Sequence, residues 1–201
     1  MSAGAAFRAE SGDQRATRRI GQLFLVGSSL FAIGSIPAIR DVTLPGAAAI
    51  LFAGSIFFTS AAAEQLRTSE SDKLDIGSAA IQLAGTIMFN LNTFSALDRR
   101  LDTRSLDFLV WLPNAMGSVC FLACSAVACV AVRRQGRNAR RIANLNLLGS
   151  VAFGFSAVAS FVRPETHVAL SQGISSWGTL IGAVCFGLAA WMLIPRGGAK
   201  A

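Results

Sequence analysis

Six long apolar runs follow one another along the chain, and they constrain its fold more than any other feature. Each run is close to the ~20 residues that an α-helix needs to cross a hydrocarbon core of ~30 Å. The runs are rich in Ala and Leu and lack strict alternation of apolar and polar residues, so strands are not favoured. They lie at residues 20–39, 46–66, 75–97, 108–132, 142–162 and 174–194. The sequence therefore predicts an all-α fold, an integral membrane bundle of six transmembrane helices.

Composition agrees with a membrane bundle. Hydrophobic residues make up 53% of the chain and charged residues 14%, whereas a soluble domain carries about 25% charged residues. The gaps between the runs are short, so consecutive helices are expected to be antiparallel neighbours. We divide the chain into an N-terminal cytoplasmic tail at 1–19, a six-helix transmembrane domain at 20–194 and a C-terminal cytoplasmic tail at 195–201.

The positively charged residues predict the orientation of the bundle. Lys and Arg concentrate in the cytoplasmic segments of membrane proteins. With the N-terminus in the cytoplasm, 13 of the 18 basic residues fall in inside segments and 5 in outside loops, and the strongest inside cluster runs from Arg133 to Arg141. Trp111 and Trp177 then fall at the outer interface and Trp191 at the inner one, where we expect them to anchor the helices. We therefore expect a multi-pass protein of the cell (inner or plasma) membrane with both termini cytoplasmic.

One short motif recurs once in each apolar run. It consists of Gly, a small residue, and Phe four positions after the Gly, and another small residue or Thr follows eight positions after the Gly. Six instances, one per run, are hard to attribute to chance even in a chain with 19 glycines. The pairs of Gly and Phe are Gly27 and Phe31, Gly54 and Phe58, Gly85 and Phe89, Gly117 and Phe121, Gly149 and Phe153, and Gly182 and Phe186.

Helix packing is the simplest physical explanation of this repeat. In lipid, close approach of helix backbones through small residues supplies van der Waals contact and hydrogen bonds. The alternative is a transporter with repeated parts and a site at the bilayer midplane, although no run contains the clear Gly or Pro interruption that such sites use. The spacing leaves open whether the helices form three successive hairpins or an inverted three-plus-three pair.

Polar side chains inside the apolar runs are the main candidates for a functional site. Glu64 is the only acid in the interior of a predicted span, since Asp75 is the first residue of its run. Arg67, three residues after Glu64, is expected to pair with it near the cytoplasmic interface. The amides are more central, and they either form interhelical hydrogen bonds or line a small polar cavity that binds a ligand. The candidate polar cluster comprises Glu64, Gln82, Asn90, Asn92, Asn114 and Asn146.

No residue pattern indicates catalysis, a metal site or a cofactor. His167 is the only histidine and lies in a predicted outer loop, so a histidine metal site within one chain is not supported. The four cysteines lack Cys-x-x-Cys spacing and are expected to be free, apolar core residues. The aromatic residues are mostly Phe within the apolar runs, which does not favour base stacking. We therefore expect no enzyme, no cofactor and no nucleic-acid partner.

Several stretches of the sequence resemble the YrhK-like membrane proteins of bacteria. The resemblance covers roughly residues 20–194 and is carried by the stretches from Gly54 to Ala61, from Gln82 to Asn90, from Trp111 to Leu122 and from Asn146 to Phe153. It implies a bacterial multi-pass membrane protein. That family has no assigned activity, so the resemblance assigns a role to no residue.

Two functions are compatible with these features. The first is a structural or accessory protein of the lipid bilayer that packs with a second copy of itself or with a membrane partner protein. The alternative is a small transporter or channel for a neutral or weakly polar solute, which would use the central amides. A water-filled cavity at the midplane, lined by Gln82, Asn90, Asn114 and Asn146, would contradict the first function.

Overall fold

Six long helices dominate the structure. The computed structural model describes residues 3–39, 46–69 and 73–195. Each of the six helices contains a segment that is long and apolar enough to cross a membrane. The predicted all-α bundle of six membrane-spanning helices is therefore confirmed. The helices are α1 (Ala3–Ile39), α2 (Ala47–Thr68), α3 (Lys73–Ser95), α4 (Thr103–Arg134), α5 (Arg137–Ala159) and α6 (Gln172–Leu193).

Five of the six helices begin upstream of the apolar runs that predict them, by two residues in α3 and α6 and by five in α4. α1 begins at Ala3 rather than near residue 20, and α5 begins at Arg137 rather than at residue 142. These upstream stretches contain Ala and Arg, which are good helix formers, and the polar residues among them lower the hydropathy. Hydropathy therefore predicts the membrane-spanning part of each helix but not the residue at which the helix begins. The predicted N-terminal tail is helical from Ala3, and the predicted C-terminal tail after Pro195 lies outside the described residues.

The first turns of α4 are irregular. The carboxylate of Asp102 accepts a hydrogen bond of 2.8 Å from the Ser105 N–H. Hydrogen bonds from the side chain and the N–H of Ser105 lower the pKa of this carboxyl group. A π-helical segment follows at Leu106–Trp111. It ends just before Pro113, which has no N–H and cannot continue a regular α-helical ladder.

The connection between α5 and α6 contains a short β-hairpin. β1 (Val162–Arg163) pairs antiparallel with β2 (Val168–Ala169). The prediction of helix up to residue 162 is wrong here, because α5 ends at Ala159. Pro164 follows β1 directly, and a residue before proline is biased towards extended backbone.

The six helices form a closed ring. Each helix packs against the helices before and after it in the chain, and α6 packs against α1. Neighbours run antiparallel, as predicted. Gly34 of α1 lies beside Leu51 of α2, whereas Gly27, two turns earlier in α1, lies beside Gly54, which comes later in α2. Because each helix lies between two neighbours in the ring, one face of each helix is turned towards a common axis.

The two helices of each hairpin cross at their motif glycines. A Cβ atom placed on Gly27 would lie 3.0 Å from the carbonyl oxygen of Gly54, and one on Gly54 would lie 3.1 Å from the carbonyl oxygen of Gly27. Glycine permits this approach because it has no side chain. The same reciprocal contact joins Gly85 to Gly117 and Gly149 to Gly182. Of the two arrangements that the spacing left open, the structure has three successive hairpins, α1–α2, α3–α4 and α5–α6.

Small residues join one hairpin to the next. Between α2 and α3, the hydroxyl oxygens of Ser55 and Thr93 share a hydrogen bond of 2.9 Å. Ser55 stands one position after the motif glycine of α2, and Thr93 stands eight positions after the motif glycine of α3. The same two motif positions meet between α4 and α5, where the hydroxyl oxygens of Ser125 and Ser150 lie 2.9 Å apart. All four side chains are buried. The glycines thus serve the crossings within hairpins, and the neighbouring small residues serve the interfaces between hairpins.

Six buried phenylalanines, one from each motif, fill the centre of the ring. We call them the phenylalanine cluster. Their rings form two triangles, with centroid distances of 5.6 to 6.4 Å in the first and 5.5 to 6.2 Å in the second, a favourable range for aromatic pairs. The first triangle is Phe31, Phe89 and Phe153, and the second is Phe58, Phe121 and Phe186.

Candidate functional site

A cavity of about 230 Å³ lies inside the ring, next to the first triangle of the phenylalanine cluster. We call it the vestibule. All six helices contribute to its lining, so it lies on the ring axis. The lining extends from Phe31, Phe89 and Phe153 to Ala96 and Ser160, which directly follow the ends of α3 and α5. The vestibule therefore runs from the centre of the bundle to the end opposite the Arg133–Arg141 turn.

The walls of the vestibule combine apolar and polar side chains and carry no charge. None of the lining side chains is ionisable, and the remainder of the lining is apolar. Seven of the lining residues have a hydroxyl or amide group: Asn92, Thr93, Asn114, Ser156, Ser160, Ser175 and Thr179. The site can therefore offer hydrogen bonds to a small molecule and cannot compensate a charge.

The polar groups follow the register of the three hairpins. Each hairpin has one motif glycine in its first helix and one in its second. The residue seven positions after the first glycine faces the backbone carbonyl oxygen of the residue seven positions before the second glycine. Asn92 donates from Nδ2 to the Val110 oxygen at 2.8 Å, and Ser156 donates to the Ser175 oxygen at 2.7 Å. The first hairpin has Gly34 at this position, and a Cβ there would lie 3.5 Å from the Ala47 oxygen. The approximate threefold repeat is thus polar in two hairpins and apolar in one.

Two amide oxygens in the vestibule have no hydrogen-bond partner in the part of the chain that the structure describes. Asn92 uses Nδ2 on Val110, which leaves its Oδ1 unpaired. Ser160 donates its hydroxyl hydrogen to the Ala157 oxygen at 2.8 Å, so it accepts the hydrogen bond of 3.3 Å from Asn114 Nδ2. This fixes the orientation of the Asn114 amide and leaves its Oδ1 unpaired as well. Both oxygens remain available as acceptors.

Trp111 forms part of the vestibule wall. The sequence predicted it only as an anchor at the membrane interface. Its Nε1 donates to the Ala157 oxygen at 2.9 Å, and its ring meets that of Phe161 edge to face at 5.0 Å. Trp177 and Trp191, by contrast, are each 52% exposed on the bundle surface. One of the three tryptophans therefore lies in the vestibule wall, and the other two lie on the outer surface of the bundle.

The structure does not bring the predicted polar cluster together as one site. Of its members, Asn92 and Asn114 line the vestibule, whereas Gln82 and Asn146 do not. Asn90 lies between α2 and α3, where its Nδ2 donates to Thr59 Oγ1 at 2.9 Å and its Oδ1 is buried without a partner. Neither it nor Glu64 contributes to the vestibule.

Glu64 forms the ion pair that its spacing predicts. Arg67 Nη2 lies 2.7 Å from Glu64 Oε1, and Arg67 Nε donates to the other carboxylate oxygen at 3.0 Å. The pair lies near the C-terminal end of α2, on the opposite side of the phenylalanine cluster from the vestibule. It compensates the charge of the only acid within that helix.

Ser156, Ser160 and Ser175 are vestibule residues that the sequence reasoning missed. Serine is common in the runs, so its presence alone carries little information. The register of the repeat is the signal that identifies two of them: Ser156 follows Gly149 by seven residues, as Asn92 follows Gly85, and Ser175 precedes Gly182 by seven. Among the described residues, no group of three or more His, Cys, Asp or Glu side chains could hold a metal ion.

By its fold the chain is an all-α, multi-pass membrane protein. No protein-family model matches it, and no curated protein and no solved structure is significantly similar to it. The resemblance to the YrhK-like proteins therefore stays a prediction. The vestibule and the phenylalanine cluster are the two features of the bundle that bear on its function.

Proposed function

We propose that this protein is a small channel or transporter that admits an uncharged, weakly polar solute to the vestibule and passes it along the ring axis. The observation that carries the proposal is the vestibule itself, a cavity of about 230 Å³ with seven hydroxyl or amide side chains and no charged one. Ligand sites are typically apolar cavities with a few placed polar groups. The absence of charge from the lining favours a neutral solute.

The phenylalanine cluster closes the path in this structure. Only about 10 Å³ of space remains between the six rings, and a water molecule needs about 10–15 Å³. The two triangles are linked by close pairs within each hairpin, such as Phe89 and Phe121 at 5.2 Å. Passage of a solute therefore requires the rings to move, which makes the cluster the gate of the proposed pathway.

The alternative, a structural or accessory protein, draws less support from the small-residue motifs than their spacing suggested, although such stripes do mediate contacts between membrane helices. Its other support, the lack of titratable groups deep in the spans, is equally compatible with a path for a neutral solute. In the structure all six motif glycines are buried, and they pack against other helices of the same chain. The motif glycines are therefore accounted for by the helix crossings within the hairpins, and none of them is left on the surface for a partner.

Solute flux through liposomes that contain the full chain tests the proposal. Phe153 is 5% exposed and belongs to the gate, whereas Phe155, two residues later, is 65% exposed. We expect the protein to raise the flux of small neutral solutes above that of protein-free liposomes. Phe153→Ala should raise it further by opening the gate, and Phe155→Ala should leave it unchanged. The measurement is light scattering after a solute jump, on variants that elute as folded protein.

Absence of flux in the wild type and in Phe153→Ala, with both folded, would overturn the proposed pathway. An equal rise of flux in Phe153→Ala and Phe155→Ala would instead show that the solute does not pass through the phenylalanine cluster.

We also propose the cell membrane, with both termini cytoplasmic, as the location of the protein. The distribution of Lys and Arg supports this location, with the Arg133–Arg141 turn on the inside. In this orientation the vestibule lies towards the outer face, and the gate separates it from the cytoplasm. Membership of the YrhK-like proteins is a further proposal, supported by the sequence stretches named above.

A further inference from the structure

The walls of the vestibule differ in polarity from one hairpin to the next. Leu51, Asn114 and Thr179 all line it, and each precedes the second motif glycine of its hairpin by three residues. Phe31 and Ala48 lie beside Leu51 in the lining, so the first hairpin forms an apolar wall. The other two hairpins form a polar wall. A molecule that fits both walls has an apolar part and a hydrogen-bonding part.

The amide groups of the polar wall offer a ligand hydrogen-bond acceptors rather than donors. The amide nitrogen of Asn92 is bonded to the Val110 oxygen, and that of Asn114 to the Ser160 oxygen. Ser156 donates to the Ser175 oxygen at 2.7 Å. The unpaired atoms of the two amides are the Oδ1 atoms of Asn92 and Asn114, and both are acceptors. The Ser175 hydroxyl, 3.5 Å from Ser156 Oγ, can donate or accept. The missing partner is therefore a hydrogen-bond donor.

The size and charge of the vestibule restrict the ligand further. The vestibule, at about 230 Å³, is smaller than the ~300–1,000 Å³ of sites for drug-sized ligands. A cationic donor would be buried here without a counter-charge, which is costly. The ligand is therefore small and neutral, with hydroxyl groups as the simplest neutral donors.

We propose that the vestibule binds a small aliphatic alcohol or diol. Its hydroxyl groups donate to Oδ1 of Asn92 and Asn114, and its carbon chain packs against Phe31, Ala48 and Leu51. This assignment rests on the proposed function, because the same vestibule is the entrance of the proposed pathway. Binding is measurable without transport, so each part of the proposal can fail separately.

Fluorescence of Trp111 provides a direct measurement of binding. With Trp177→Phe and Trp191→Phe, Trp111 is the only tryptophan, and it lies in the vestibule wall. The full chain in nanodiscs is titrated with butanediol, with its isomer dimethoxyethane, which has no donor, and with glycerol, which has no apolar end. We expect a saturable change with butanediol, and apparent affinities about tenfold lower for the isomer and for glycerol.

Three variants connect this binding to the proposed contacts. Asn114→Leu and Asn92→Leu should each weaken butanediol binding about three- to tenfold. Asn90→Leu is the matched control, the same change two residues from Asn92 and outside the vestibule, and it should leave binding unchanged. Leu51→Asn adds an amide to the apolar wall, and it should improve the affinity for glycerol relative to butanediol, a gain that misfolding cannot produce.

The outcomes separate the ligand class from the pathway. Saturable binding of butanediol that its isomer does not match, without any solute flux, would support the ligand class and overturn the transport function. Flux of neutral solutes with equal affinity for butanediol and dimethoxyethane would overturn the ligand class and leave the pathway standing. Equal losses in Asn90→Leu and Asn92→Leu, or no change of preference in Leu51→Asn, would also overturn the ligand assignment.

Discussion

Two glycines of α5 show how strongly the role of a residue depends on what faces it. A Cβ atom on Gly149 would lie 3.1 Å from the Gly182 carbonyl oxygen and 3.2 Å from Cys185 Cβ, so α6 would have to move. Nothing lies within 4 Å of a Cβ on Gly154, only five residues later. The first glycine serves a helix crossing, and the second serves no contact that the described residues show.

We expect opposite effects when these two glycines are replaced by alanine. Gly149→Ala should lower the free energy of unfolding by roughly 1–3 kcal/mol, because the methyl group overfills the crossing. Gly154→Ala should raise it by up to about 1 kcal/mol, because alanine is the better helix former. Unfolding by titration with denaturing detergent measures both. Equal changes in the two variants would contradict the assignment of Gly149 to a tight crossing.

At the scale of the elements, the interfaces between hairpins differ in their hydrogen bonds. Ser150 of α5 bonds to Ser125 of α4. The position that corresponds to Ser150 in α1 is Ser28, which is 2% exposed and whose hydroxyl has no partner among the described residues. The position that corresponds to Ser125 in α6 is Ala190, which is also buried. From the register of the motif we therefore expect alanine to stand where a second hydroxyl would pair with Ser28.

Ala190→Ser should supply the missing partner. A hydrogen bond between membrane helices stabilises by about 0.6 kcal/mol on average, so we expect a gain of about that size in the free energy of unfolding. The gain should vanish when Ser28→Ala is present as well, and Ser28→Ala alone should be close to neutral. A double-mutant cycle by detergent unfolding measures the coupling. No coupling between the two positions would show that α1 and α6 do not meet in the register of α4 and α5.

At the scale of the whole molecule, closure of the ring creates the proposed site. The vestibule takes lining residues from every helix, so no single hairpin contains it. Packing of α6 against α1 brings the apolar wall of the first hairpin opposite the polar walls of the other two. If the proposed function holds, the orientation of the molecule in the membrane decides from which side a solute would reach the vestibule.

Cysteine labelling tests the proposed orientation. The native cysteines are replaced by alanine, and a single cysteine is introduced at exposed Glu165, in the β-hairpin connection, or at exposed Gln135, in the arginine-rich turn. An impermeant maleimide should label Glu165→Cys in intact cells and Gln135→Cys only after permeabilisation. The reverse pattern would show that the vestibule faces the cytoplasm.

Much of the fold and a smaller part of the site were predictable from the sequence. The spans follow from hydropathy, and the positions of Gly and Phe follow from a repeat, since both are properties of consecutive residues. Asn92 and Asn114 were identified as polar residues within spans, but they were grouped with Gln82, Asn90 and Asn146, which lie elsewhere. Hydropathy does not reveal which face of a helix meets the axis. Helix starts and the strands of the β-hairpin were missed because their residues are not distinguished by hydropathy.

The sequence by itself determined six membrane-spanning helices and the small residues at which they approach each other, because helix length and side-chain size act locally. Only the tertiary structure decided that the glycines pair within successive hairpins, that α6 closes the ring against α1, and that two unpaired amide oxygens share one cavity. Each of these depends on contacts between residues far apart in the chain. The spacing of residues along single helices was compatible with more than one such arrangement, and packing in three dimensions selected one.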